Sequence, residues 1–213
     1  MVENEDRGAI NLSRAGLKKI INLPLTDKNV LSLRAGDIVS LNGVIVTGRD
    51  LVHKYLVEKK PRKEDIPFDL AGAVLYHCGP VMQKTAEGYK AVAAGPTTSM
   101  RVEPYEAVLI REYGVRGIIG KGGMGAGTLE ALKETGSVYF QTVGGAAVYL
   151  ADRIKKTLDV WKLEEFGPTE AMWFFEIEDF PAIVTMDSHG NNIHSEIEKL
   201  SSEIFLELIG SKK

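Results

Sequence analysis

With 213 residues, 44% of them apolar and 26% charged, the chain has the profile of a globular domain, long enough for one core with or without appendages. A formal net charge of −3 gives no general reason to expect nucleic acid, so recognition of an acidic ligand would rest on particular arginines and lysines. No apolar run approaches the roughly 20 residues of a membrane-spanning helix, and the acidic start Met1 to Asp6 lacks the basic and apolar regions of a secretory signal, so a cytoplasmic protein off the membrane is expected.

Residues 1–17 read as an N-terminal extension, and 18–213 as one domain. Ile20-Ile21-Asn22-Leu23 suggests a short strand, and Thr26-Asp27 can cap a brief helix through Leu33. Residues 37–41, Asn42-Gly43 and 44–47 then read as a β-hairpin, because Asn-Gly tolerates the positive φ of a two-residue turn. Thr47-Gly48-Arg49-Asp50 follows, where a strand gives way to a helix over 50–59. A guanidinium there can offer a carboxylate two parallel hydrogen bonds, and the helix start favours an anion. The alternative is that Arg49 pairs with Asp50 or another acid and fixes the turn.

Residues 72–76 form a short apolar strand, followed by Tyr76-His77-Cys78-Gly79-Pro80. Neighbours on a strand point to opposite faces, which argues against a His77–Cys78 catalytic pair. Cys78 is the sole cysteine. One thiol makes no internal disulfide or structural zinc site and cannot supply the thiolates of an iron–sulfur cluster, so any cluster needs another chain. Ala94-Gly95-Pro96-Thr97-Thr98-Ser99-Met100-Arg101 crowds three hydroxyls and a guanidinium behind a turn. It could be an oxyanion cradle, or a Ser/Thr helix cap with Arg101 on the surface.

Residues 105–113 are helical, 115–119 a strand, 127–135 a helix, 138–143 a strand and 146–158 a helix. The loop Gly120-Lys121-Gly122-Gly123 with Gly125 and Gly127 has the glycine density of an anion site, yet Lys121 is followed by Gly122 with no Ser or Thr, so Walker spacing is absent. The alternative is glycines for tight packing and a solvated lysine. Residues 173–177 and 182–186 read as two strands, Met172 to Phe175 as core, Glu170 as facing either solvent or the site, and His189 as a surface turn residue. Ile193, Ile197, Leu200, Ile204 and Leu208 trace one face of a terminal helix. The fold class is α/β, with mixed sheets and packed helices.

From about Lys18 to His194, Thr47-Gly48-Arg49-Asp50 with His53-Lys54, Gly79-Pro80, Gly95-Pro96-Thr97-Thr98 with Arg101, Gly120-Lys121-Gly122-Gly123 and the tail 168–187 occur in an order that resembles the β-subunit part of iron–sulfur hydro-lyases, the class I fumarases and L-tartrate dehydratases. The resemblance implies a swivelling β/β/α domain that closes over a larger α subunit holding a [4Fe–4S] cluster, with no metal bound by this chain; because oligomers are usually symmetric, an α2β2 assembly is expected. By the same resemblance Arg49 and Arg101 bind substrate carboxylates, Thr97 acts at the carbon that exchanges a proton, and Lys121 stabilises substrate charge or assists Thr97. His77-Cys78 departs from the family pattern and is taken as packing variation. The implied reaction is reversible hydration of fumarate to L-malate; the alternatives are dehydration of L-tartrate and a non-catalytic anion-binding or assembly module.

Overall fold

The computed structural model describes residues 18–210; the expected extension 1–17 and residues 211–213 lie outside the described residues. In chain order the elements are β1 (Lys19–Asn22), α1 (Asp27–Ser32), β2 (Ile38–Thr47), α2 (Asp50–Lys59), β3 (Val74–Tyr76), β4 (Val81–Thr85), β5 (Gly88–Ala93), α3 (Glu103–Tyr113), β6 (Gly117–Gly120), α4 (Ala126–Thr135), β7 (Val138–Gln141), α5 (Ala147–Asp152), β8 (Ile154–Trp161), α6 (Leu163–Phe166), β9 (Met172–Met186) and α7 (Ile193–Gly210). The mixed α/β architecture expected from the sequence is present.

One sheet runs in the order β1-β2-β3-β6-β7-β9-β8, and β9 also pairs with β2. Strands β2, β3, β6, β7 and β9 therefore close into a five-strand, barrel-like ring. The first four are mutually parallel, and β9 runs antiparallel to both of its ring neighbours. Alternate residues supply two cores, as the period-two geometry of a strand requires. Val46, Leu75, Ile118, Tyr139 and Phe174 pack against Leu56 of α2, Leu109 of α3 and Leu132 of α4. Ile45, Val74, Tyr76, Ile119, Phe140, Trp173 and Phe175 point the other way and pack with Val30 of α1 and Leu150 of α5. Thr26 caps α1 as expected, its hydroxyl accepting from the Asn29 N–H at 3.2 Å.

Three expectations are corrected. There is no hairpin at Asn42-Gly43: β2 runs straight through, pairing β1 with its first half and β3 with its second. Gly43, at φ 119°, forms a bulge against β9, and a Cβ there would lie 3.0 Å from the Leu23 carbonyl oxygen. Asn42 contributes its side chain instead, accepting the Asp179 N–H at 2.8 Å. The expected helix over 146–158 ends at Asp152, and the chain turns into β8, which covers the open edge of β9. The two late strands are one, because Asp179 at φ 52° and Pro181 opposite Ser40 carry β9 through its polar middle. The β4–β5 hairpin had no counterpart in the sequence reading. Helix α7 follows the expected apolar spacing, but none of its residues is buried.

Candidate active site

The four parallel strands of the ring end on one side, at Thr47, Tyr76, Gly120 and Gln141. Loops beyond the carboxyl ends of parallel strands are the usual ligand crevice of α/β sheets. Here they carry Arg49-Asp50, His77 to Pro80, and Lys121 to Gly123. The 94–101 segment is tied to the same edge. The Thr97 N–H donates to the His77 carbonyl at 2.7 Å, the Ser99 N–H donates to the Lys121 carbonyl at 3.1 Å, and isolated bridges join Cys78 to Pro96 and Thr98 to Lys121. All four residues singled out from the sequence, Arg49, Thr97, Arg101 and Lys121, thus sit on adjoining loops.

Arg49 stands at the N-cap of α2. Its side chain crosses Gly79, where a Cβ would lie 2.6 Å from Arg49 Cδ and 2.5 Å from the Thr169 carbonyl, so glycine is what lets the guanidinium lie there. Nε is 3.3 Å from Glu170 Oε1 and Nη2 is 3.8 Å from Asp50 Oδ2. That Asp50 oxygen also accepts from Arg101 Nη2 at 2.9 Å, so one carboxylate bridges both guanidiniums. Pairing of Arg49 with acids is therefore real, and it coexists with the meeting of the two arginines. Glu170 faces the site: its Oε2 accepts the Leu51 N–H at 3.0 Å at the start of α2. Its loop is pinned by Thr47, whose hydroxyl accepts the Trp173 N–H at 2.9 Å, and by the Trp173 indole N–H donating to the Pro168 carbonyl at 2.7 Å.

Arg101 is 54% exposed, and Thr97 and Lys121 are half-buried. Thr98 precedes a short 3-10 turn at Ser99–Arg101 without capping it through its side chain. Among the described residues no acid lies within ion-pair distance of the Lys121 ammonium. The glycine loop after β6 owes its composition to packing. A Cβ at Gly123 would lie 2.4 Å from His194, and one at Gly125 would lie 2.7 Å from Glu103. The Glu103 carboxylate accepts from the Gly125 N–H at 2.8 Å, the Thr128 N–H at 3.1 Å and the Thr128 hydroxyl at 2.7 Å. The start of α4 already holds an internal anion, which leaves a phosphate no place there.

Beneath this edge lies a polar cluster that the sequence reading did not assemble. His53 Nε2 and His77 Nε2 each sit 3.0 Å from Glu106 Oε2, and all three residues are fully buried. His77 Nδ1 is 2.9 Å from Ser99 Oγ, which is 2.9 Å from the Tyr139 hydroxyl. Burial would raise the Glu106 carboxyl, but the electrostatic pull and hydrogen bonds of the adjoining His77 and His53 rings hold it down at about 2. Burial lowers His77 against the opposing pull of Glu106. These three residues have ligand atoms within 4.8 Å of one another, a spacing that could hold a metal ion. The 3.0 Å hydrogen-bond separations account for their geometry without one.

One signal for the cluster was present in the sequence. Val102, Glu106, Leu109, Ile110 and Tyr113 follow helical spacing, so Glu106 falls on the buried face of α3. Cys78 is buried beside Tyr76, and burial outweighs the pull of the Tyr76 hydrogen bond and the Arg49 charge, pushing its thiol up to about 12. A lone, inert thiol does not fit the requirements of an iron–sulfur cluster.

Residues 3–197 match the family described as Fumarase C-terminus. A Geobacillus stearothermophilus protein provisionally named fumarate hydratase class I is 50% identical over 189 residues; these are 87% of this chain and 36% of that protein, so the chain spans about a third of it. A Methanocaldococcus jannaschii protein, provisionally named L(+)-tartrate dehydratase subunit beta, is 43% identical over 87% of this chain and 96% of its own length. The Escherichia coli L(+)-tartrate dehydratase subunit beta is 37% identical over 88% of this chain and 92% of its own length. With this coverage added to the ordered motifs, the chain belongs to the Fumarase C-terminus family of class I fumarases and tartrate dehydratase β subunits.

Proposed function

We propose that this chain is the β subunit of a [4Fe–4S]-dependent fumarate hydratase and catalyses, together with a cluster-bearing α subunit in an α2β2 assembly, the reversible hydration of fumarate to L-malate. The observation that carries this reading is the pair of guanidiniums, Arg49 and Arg101, drawn to one Asp50 oxygen at the carboxyl edge of the parallel strands. Two forks at one edge match the two carboxylates of a four-carbon diacid. The cluster belongs to the partner, since Cys78 cannot hold it, and when bound there it supplies a Lewis acid for the substrate hydroxyl and carboxylate.

On this chain Arg49 and Arg101 bind and orient the diacid. In the dehydration direction Thr97, as alkoxide, takes the proton from the carbon next to the hydroxyl-bearing one while hydroxide leaves. In hydration its hydroxyl returns that proton. Lys121, free of internal acids among the described residues, favours the alkoxide and offsets substrate charge. Fumarate as substrate is supported by the Geobacillus relative, most of whose length lies outside the match and offers room for a cluster-bearing part. The second reading, L-tartrate dehydration, is favoured by the near-equal lengths of the two β-subunit relatives, and it would use the same arginines.

The test is hydro-lyase activity of the partner subunit with and without this chain, on fumarate and on L-tartrate. Fumarate turnover that requires the chain, and loses about 10–100-fold in kcat/KM with Arg101→Lys, is expected, because an ammonium cannot reproduce the guanidinium fork. Equal rates in both preparations would leave the non-catalytic module as the explanation.

A further inference from the structure

One carboxylate oxygen organises the cluster beneath the site. Glu106 Oε2 meets both imidazoles, and the outer ring nitrogens reach onward, His53 Nδ1 to the Arg49 carbonyl at 2.7 Å and His77 Nδ1 to Ser99 Oγ at 2.9 Å. A carbonyl oxygen only accepts, so His53 Nδ1 must carry a hydrogen. His53 Nε2 lies 3.0 Å from the Glu106 carboxylate, whose oxygens when ionised only accept, so that nitrogen carries a hydrogen as well. His53 is therefore an imidazolium paired with a buried carboxylate. His77 completes the chain as a neutral ring, donating from Nε2 to Glu106 and accepting the Ser99 hydroxyl hydrogen at Nδ1. That leaves Ser99 Oγ to accept from Tyr139.

The segments that carry Arg49, Thr97 and Lys121 hang on this chain. The Arg49 carbonyl takes the His53 N–H of the ring and, at 3.1 Å, that of the main chain. The Thr97 N–H is held by the His77 carbonyl, and the Lys121 carbonyl by the Ser99 N–H. The Ser99 hydroxyl and the His77 ring also fill the space over Gly120, where a Cβ would lie 1.9 Å from Ser99 Oγ and 3.2 Å from His77 Nδ1. We propose that His53, Glu106 and His77 form a buried imidazolium–carboxylate–imidazole clamp in which Glu106 is a positioning residue, fixing Arg49 through His53 and the Thr97–Arg101 turn and Lys121 through His77 and Ser99. Its bearing on catalysis rests on the hydro-lyase reading above; the clamp itself does not.

The experiment uses the full chain labelled with 15N-histidine, beside Glu106→Gln, a nearly isosteric change that removes the charge. In the wild type both ring nitrogens of His53 carry protons near neutral pH. In Glu106→Gln one proton is lost, and the Thr97 and Ser99 amides exchange with solvent about tenfold faster. The wild-type spectrum decides the first point even if the variant fails to fold. A singly protonated His53 in the wild type, a stoichiometric metal ion that the variant loses, or unchanged exchange at Thr97 and Ser99 would each overturn the clamp. In the assembled enzyme Glu106→Gln lowers kcat/KM for the diacid about tenfold, through kcat as well as KM because Thr97 and Lys121 lose their support along with Arg49, and Glu106→Asp, which keeps the charge, recovers part of the loss. A kcat/KM unchanged by Glu106→Gln would overturn the positioning role. Absence of any hydro-lyase activity in the wild-type assembly would instead sink the proposed reaction, while the proton and exchange measurements still decide the clamp.

Discussion

A carboxylate sealed from water has to be paired, and Glu106 shows what the pairing does to stability as pH changes. Its folded value of about 2 lies below the ordinary 4.5, so between those values the unfolded chain binds more protons and stability falls as pH falls. His77, lowered from 6.5 by burial against the opposing pull of Glu106, acts with the same sign at higher pH, since the unfolded ring accepts a proton that the folded one refuses. Thermal unfolding followed by circular dichroism should give a midpoint that declines steadily as pH drops below about 6.5 toward 4. A midpoint that rises on acidification in that range would contradict the assignment. The arginines, Thr97 and Lys121 were legible because each sits in a compact run with distinctive chemistry. Glu106 and Ser99 were not, because their three partners, His53 on α2, His77 just after β3 and Tyr139 on β7, lie far apart in the chain and only the closed ring brings them together.

At the level of elements, periodicity located helices α2, α3 and α4 well, since each must show an apolar stripe to the sheet. Where it failed, local chemistry was being used for a long-range purpose. Asn42-Gly43 has the composition of a hairpin turn, but its positive φ makes a bulge that fits β2 to three neighbouring strands. Residues 154–158 carry apolar spacing compatible with a helix, yet β9 offered an edge that only a strand could cover. Glu103 is a third case, a helical residue of α3 whose carboxylate serves as the cap of α4. Replacing it with alanine orphans the Gly125 and Thr128 N–H groups and should cost about 1–2 kcal/mol of unfolding free energy by urea titration. A change within experimental error would show that water caps α4 equally well.

For the whole molecule, helix α7 stands apart. No residue in it is buried, Ile204, Phe205, Leu206 and Leu208 are exposed, and the family match ends at residue 197. Removing residues 198–213 should therefore shift the thermal midpoint by less than about 2 °C in differential scanning calorimetry. A drop several times larger would mean that α7 supports the ring after all.

The ring has one further property, which concerns order in time. Its closing strand β9 is the last to be synthesised and must pair with β2, made near the beginning of the chain. Until β9 has emerged, β2 and β7 lack their antiparallel neighbour, and contacts so distant in sequence form slowly because a long loop must first be closed. An unpaired strand edge invites another chain to dock there. The nascent protein is thus exposed longest to mispairing at the strand that leads directly into Arg49.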